Sequence, residues 1–240
     1  MNDYTAVFLS DIHLGLPEST AAMVLTCLEN MDADRRFWLG DIRDLWVLTM
    51  FPKWWGPKET ALSLMALEDD AVTGNHDGVL AMALDMPKEI LYVSPATGKR
   101  YLLVHGHQFD PFILRHLQLS ILATWLNLAA MLAVDPVVTW IRKRLGRNGH
   151  WSIASAIKRL LRCGSYLRKV KVRAVALAKE RGVDGIVFGH THEASVETID
   201  GILVVNTGAG IALTCAVETA NGDFQIETLA PKETEARPVH

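Results

Sequence analysis

The sequence predicts an α/β fold, and three observations predict it. Short apolar runs rich in β-branched and aromatic residues recur along the chain, and five of them stop at a cluster of Gly, Asp, Asn or His. Segments with apolar residues at helical spacing lie between these runs. From Ser195 onward, shorter runs are separated by Asp200-Gly201 and Asn221-Gly222-Asp223, turn signals that suit antiparallel hairpins. In open α/β sheets the crevice outside the strands' carboxyl ends receives the ligand, so the five polar clusters mark the functional end.

Tyr4 to Ser10 reads as the first buried strand and delivers Asp11-Ile12-His13. Glu18 to Met31 carries Ala22, Leu25 and Leu28 at helical spacing. Arg36 to Leu39 is a second strand, ending in Gly40-Asp41-Ile42-Arg43-Asp44. Trp54-Trp55-Gly56-Pro57 is a loop, and Lys58 to Glu68 a helix. Val72-Thr73 leads into Gly74-Asn75-His76-Asp77. Arg100 to Val104 is a strand ending in His105-Gly106-His107, and Gly185 to Phe188 delivers Gly189-His190-Thr191-His192. The tail carries strands at Ser195–Ile199, Leu203–Asn206, Thr214–Glu218 and Phe224–Thr228, and Pro231 to His240 reads as a frayed end.

A chain of 240 residues can bury one large core, and 21% charged residues with 50% hydrophobic residues exclude a disordered protein. The net charge of −3 hides a segregation. Pro136 to Lys179 holds twelve Lys/Arg and no Asp/Glu, which points to an anionic partner or surface there. Cys27, Cys163 and Cys215 are widely spaced, an arrangement for neither a disulfide scaffold nor a thiolate zinc site. The first apolar run is short and preceded by Asp3, so no secretory leader is read and the cytoplasm is the expected location.

The strand-end clusters supply seven candidate metal ligands: Asp11, His13, Asp41, Asn75, His105, His190 and His192. Carboxylate, imidazole and amide donors without thiolate suit Mn²⁺, Fe or Zn²⁺, with Mn²⁺ the first choice. Seven donors exceed the needs of one such ion, so two divalent ions sharing a bridging carboxylate are expected. Two ions roughly 3.5–4 Å apart can clamp a phosphoryl group and activate a water for in-line attack.

As a series, Asp11-Ile12-His13, Gly40-Asp41-Ile42-Arg43-Asp44, Gly74-Asn75-His76-Asp77, Val104-His105-Gly106-His107 and Gly189-His190-Thr191-His192 resemble the calcineurin-like metallophosphoesterase superfamily, over about residues 5–210. The resemblance implies a four-layer sandwich, two mixed β-sheets flanked by helices. It implies that Asp11, His13 and His192 hold one ion, Asn75, His105 and His190 the other, and that Asp41 bridges them. His76 would act at the scissile phosphate, Asp44 would orient it, and a bridging water or hydroxide would be the nucleophile. Asp77 reads equally as a turn residue, and His107, two residues after His105, reads more readily as lying off the site than as touching it.

One domain over residues 1–240 is expected, with a helical lid insert at about 111–179. Leu117 to Val134 runs eighteen residues without charge, and Trp140 to Leu145, Lys158-Arg159 and Arg168 to Arg173 are basic. An apolar surface beside a basic one suits a phosphorylated lipid, with Arg142, Lys143 and Arg144 as substrate contacts, and peripheral attachment to the inner face of an anionic membrane. Val104 to Asp110, Trp151-Ser152, Gly182 to Gly185, Asp200-Gly201-Ile202 and Asn206-Thr207-Gly208 resemble the UDP-2,3-diacylglucosamine diphosphatase group, which hydrolyses a lipid-linked pyrophosphate in lipid A synthesis. The chain departs from that group at His107, at Ala209-Gly210 and at His76, where its best-known branch has an arginine. The rival enzyme is a phosphodiesterase acting on another phospholipid, a nucleotide or nucleic acid; the insert's few aromatics disfavour the last. A non-catalytic scaffold should lack ligands or the imidazole, and here all are present.

Overall fold

The computed structural model describes residues 4–16, 20–110, 125–126, 129, 133–144 and 164–229. In chain order the elements are β1 (Tyr4–Leu9), α1 (Ala21–Glu29), β2 (Ala33–Leu39), α2 (Leu45–Leu48), α3 (Pro57–Glu68), β3 (Asp70–Val72), α4 (Gly78–Ala83), β4 (Glu89–Val93) and β5 (Arg100–Val104). They continue with α5 (Asp135–Arg144), α6 (Gly164–Arg181), β6 (Gly185–Phe188), β7 (Ser195–Ile199), β8 (Ile202–Asn206), β9 (Thr214–Thr219) and β10 (Phe224–Thr228). The chain divides into two compact units, Met1–His107 with Ala174–His240, and Gln108–Arg173.

The first unit holds two mixed five-stranded sheets, in the orders β10-β9-β1-β2-β3 and β4-β5-β6-β8-β7. In one, β1, β2 and β3 are parallel and β9 and β10 add antiparallel. In the other, β5, β6 and β8 are parallel, with β4 and β7 antiparallel at the edges. Side chains alternate across each strand. Phe8, Phe37, Tyr92, Tyr101, Val187, Val205 and Ala216 from both sheets meet in one cluster, so the sheets pack face to face. Val7, Leu9, Trp38 and Val217 point the other way and bury against Val24, Leu25 and Leu28 of α1 and Leu62 and Ala66 of α3. On the second sheet Leu102, Ile186 and Val204 are buried on the outer face. There the C-terminal part of α6 buries Ala174, Val175 and Ala178, and Arg181 reaches Glu89 of β4 at 3.2 Å.

β4 is not among the strands expected from the sequence. It pairs with β5 alone and leaves Leu91 and Val93 exposed, so its apolar residues lie on both faces and show no alternation of polarity. α2 and α4 are too short for a period to register. The expected helix at 18–31 forms over Ala21–Glu29, and the expected strand at 36–39 begins at Ala33.

In the second unit, the Tyr166 hydroxyl donates to Asp110 Oδ2 at 2.5 Å and Arg173 Nη1 donates to the Phe109 carbonyl at 2.9 Å. α5 exposes Val137, Trp140 and Ile141, and the Arg144 guanidinium lies 4.8 Å over the Trp140 ring. The side chains of Arg142 and Lys143, most of the apolar stretch Leu117–Val134, Trp151-Ser152, Lys158-Arg159 and the tail from Pro231 lie outside the described residues. Among the described residues no helix is long and apolar enough to cross a membrane.

At the floor of the sandwich, Tyr92 of β4 donates its hydroxyl to the Glu218 carboxylate of β9, joining the sheets; both residues are buried. Tyr92→Phe is therefore expected to cost about 1–3 kcal/mol in urea unfolding, because Glu218 loses its donor, and Tyr92→Phe with Glu218→Leu to recover part of that loss.

Candidate metal centre

The carboxyl ends of the parallel strands of both sheets converge. β1 delivers Asp11 and His13, β2 Asp41 and Asp44, β3 Asn75 and His76, β5 His105, and β6 His190 and His192. The β1 and β2 loops stay zipped beyond the strands: Asp11, His13 and Leu14 donate backbone N–H groups to the carbonyls of Gly40, Asp41 and Ile42 at 2.8–3.0 Å. The second sheet's loops are fastened to the first by Gly210 N–H to Ser10 O, at 2.8 Å.

Three groups of donors have their ligand atoms within 4.8 Å of one another: Asp11, His13 and His192; His13, Asp41 and His76; and Asp41, His105 and His190. His192 Nε2 lies 3.1 Å from Asp11 Oδ1, and His105 Nε2 lies 3.2 Å from both Asp41 Oδ2 and Asn75 Oδ1. All seven candidate ligands are thus brought together. Asp11, His13, Asp41 and His105 are buried, the first with no exposed surface. His76 Nδ1 lies 3.0 Å from Asp44 Oδ2, which also faces His13 Nδ1 at 3.5 Å.

The backbone holds these donors in an uncommon conformation. Asp11 (φ 52°), His13 (51°), Asp41 (53°), His190 (64°) and His192 (57°) lie in the left-handed region, which costs an L-residue roughly 1–2 kcal/mol. Such strain persists only where neighbours impose it, and it clusters at functional sites. The neighbours are visible. Asp41 Oδ1 accepts from His76 N–H at 2.7 Å, and Asp11 Oδ2 accepts from His190 N–H at 2.8 Å and from Ser10 Oγ at 2.5 Å. His105 Nδ1 lies 2.7 Å from the Leu39 carbonyl; a carbonyl only accepts, so Nδ1 carries hydrogen and Nε2 is the edge turned to Asp41.

The charges are set by the same contacts. Burial would raise the Asp11 carboxyl, but His192 outweighs it and holds the group well below the usual carboxylate range. Asp41 is held far down, against burial, by His105 and His76, and Asp44 by His13 and His76. Burial opposes a charge on His76 and His105, yet chiefly because of Asp41 they are pushed up to about 9 and about 10. His107 goes the other way, to about 4, through burial and the neighbouring His105 and His190. Its ring lies 5.4 Å from that of His105.

These residues fit divalent cations. The donors are carboxylate, imidazole and amide, while the described thiols, Cys27 and Cys215, are buried in the core. Asp11 Oδ1 is buried without a well-aligned hydrogen bond, although it belongs to a residue aimed into the cluster. Sequence reasoning missed Ser10 and Thr207, whose hydroxyls lie 2.7 Å apart behind Asp11. It also assigned no role to Asn206, which donates to Thr191 Oγ1 at 2.7 Å and accepts from Gly208 N–H at 3.0 Å. The available signal was a sixth apolar strand, β8, ending in Asn206-Thr207-Gly208.

The family model for calcineurin-like phosphoesterases matches residues 4–194. Among solved structures, the chain is similar to a phosphoesterase, Yfce, from E. coli (18% identity, 93% of this chain and 98% of that one, TM-score 0.44). It is also similar to an uncharacterised Streptococcus pneumoniae protein described as a predicted phosphoesterase (15%, 95% and 99%, TM-score 0.42). A third is a single mutant of Vps29 from Entamoeba histolytica (15%, 92% and 96%, TM-score 0.44). No curated protein matches this chain.

Gly74 packs directly on Asp41, and a Cβ there would sit 2.2 Å from both Asp41 N and Oδ1. Gly74→Ala is expected to lower stability by about 1–3 kcal/mol, read by calorimetry, through displacement of backbone rather than of a flexible side chain.

Proposed function

This chain belongs to the calcineurin-like phosphoesterase family, and from that premise we propose that it is a two-metal hydrolase acting on a lipid-linked pyrophosphate of the UDP-diacylglucosamine kind. The observation that carries the two-metal reading is the linkage of the donor groups: Asp11-His13-His192 and Asp41-His105-His190 are joined by a third that contains both His13 and Asp41. In this reading Asp11, His13 and His192 hold one ion, Asn75, His105 and His190 the other, and Asp41 serves both, with Mn²⁺ the preferred metal. When bound, the ions supply Lewis acidity and a water made nucleophilic near neutral pH.

The chain's own residues do the rest. Asp44 holds the Nδ1 edge of His76, which turns Nε2 toward the Asp41 carboxylate, 3.9 Å away. In this reading His76 gives a proton to the departing oxygen as the new P–O bond forms to water and the old one breaks. Thr207, Ser10 and Asn206 keep the Asp11 and His190 loops from parting.

The lipid reading is supported by the motif resemblances, by the segregated basic charge and by α5, which exposes Val137, Trp140 and Ile141 beside Arg144. A helix with an apolar face and basic flanks suits the headgroup region of an anionic membrane. Arg142, Lys143 and Arg144 are the proposed contacts to phosphate or headgroup, and the inner membrane face is the proposed place of work.

Asp41→Ala is expected to reduce hydrolysis to background, and His76→Ala to slow turnover about 10²–10⁴-fold with Mn²⁺ binding retained in calorimetric titration. Full activity in Asp41→Ala overturns the two-metal reading. A UDP-linked diacyl lipid should be cleaved faster than single-stranded DNA at moderate salt; the reverse preference rejects the lipid substrate. Neutralising Arg142, Lys143 and Arg144 should raise KM and weaken sedimentation with anionic vesicles more than it lowers kcat.

A further inference from the structure

Resting on the two-metal reading, we propose that Asp77 is a positioning residue: a carboxylate clamp that fixes the Asp41 loop against the Gly74–Asp77 loop and thereby sets the affinity of the centre for its ions. Asp77 has no exposed surface. Its Oδ2 accepts from Asp41 N–H at 2.8 Å and from Gly74 N–H at 2.9 Å, and its Oδ1 accepts from Arg43 N–H at 3.2 Å. Two loops from two strands therefore donate three backbone hydrogens to one side chain.

The ordinary role for an Asp at this position is to cap the helix that follows, and Asp77 does stand at the N-terminus of α4. Its side chain makes no capping hydrogen bond there. It turns back across the loops instead. The arrangement is reciprocal: the Asp77 carboxylate holds the Asp41 amide, and the Asp41 carboxylate holds the His76 amide at 2.7 Å. Asp41 is thus fixed at both its backbone and its side chain in the left-handed conformation (φ 53°) that turns Oδ2 to His105 Nε2, 3.2 Å away. Arg43 anchors the same loop from behind, its Nε donating to Ser63 Oγ of α3 at 2.7 Å.

Only a carboxylate offers an acceptor to all three donors. Asparagine keeps the shape but presents one oxygen and turns an NH₂ group against a backbone N–H. Asp77 is among none of the donor groups that share a ligand distance, so it acts through Asp41, Asn75 and His76. Residues that orient metal ligands typically shift metal affinity 10–100-fold.

The test is Asp77→Asn, read in two ways. In the metal-free protein the Asp41 and Gly74 amides should exchange with solvent at least ~10-fold faster than in the wild type, while the β1 and β5 amides are unchanged. In calorimetric titration with MnCl₂ the affinity should fall at least ~10-fold. Wild-type exchange rates or wild-type Mn²⁺ affinity in Asp77→Asn overturns the proposal. Should Asp77→Asn not fold, the wild type decides: Asp41 and Gly74 amides exchanging as fast as exposed loop amides overturn the clamp, and slow exchange upholds it. A wild type that keeps those amides slow but binds fewer than two Mn²⁺ overturns the two-metal reading and upholds the clamp.

Discussion

A carboxylate removed from water must be compensated, and the architecture follows from having two such groups side by side. Asp11 and Asp41 sit at the ends of adjacent parallel strands with almost no exposed surface. Uncompensated, each would cost several kcal/mol or give up its charge. The imidazoles that compensate them come chiefly from the other sheet: His105 faces Asp41, and His192 faces Asp11. Imidazoles of the first sheet stand farther off, His13 at 3.8 Å from Asp11 and His76 at 3.9 Å from Asp41. The aromatic layer between the sheets, with Tyr92 of β4 edge-on to Phe37 of β2 at 5.1 Å and to Phe8 of β1 at 5.6 Å, is what holds the two halves together.

The backbone carries as much of the centre as the side chains do. Loops from β1 and β2 continue the parallel ladder past the strands, and the Gly74 backbone lies against Asp41 with no room for a side chain. A Cβ on Gly189 would likewise meet Ser10 Oγ at 2.0 Å and Asp11 Oδ2 at 2.5 Å. The glycines at 74 and 189 leave room for two segments of the chain to touch. This close packing leaves His190 N–H and His76 N–H as donors to the two central carboxylates.

Much of this was legible in the sequence, for a physical reason. A buried parallel strand is a short apolar run, and polar side chains at its end interrupt the run abruptly, so Asp11, Asp41, Asn75, His105 and His190 announce their own positions. What failed to register has no such contrast. β4 is an edge strand with apolar residues on both faces, and α2 and α4 are shorter than a hydrophobic period can reveal. Ser10 and Thr207 look like ordinary strand-end residues until the fold brings hydroxyls from the ends of β1 and β8 to 2.7 Å. Asp77 could not be told from a turn residue, because its three donors come from segments up to 36 residues away. Contacts between loops are written in the topology, not in the local pattern.

The left-handed backbone at Asp11, His13, Asp41, His190 and His192 also bears on how the protein can change. At most positions of that kind glycine is the relaxing substitution, but here it would delete the very atom the position exists to present. The usual route to a sturdier protein is therefore closed at these five places, and gains must come from the sandwich or the helices around it. The same feature explains why such a centre resists transplantation. Seven side chains copied onto another sheet would arrive without the bent loops that aim them, and the recipient would have to supply that curvature before it could gain any chemistry.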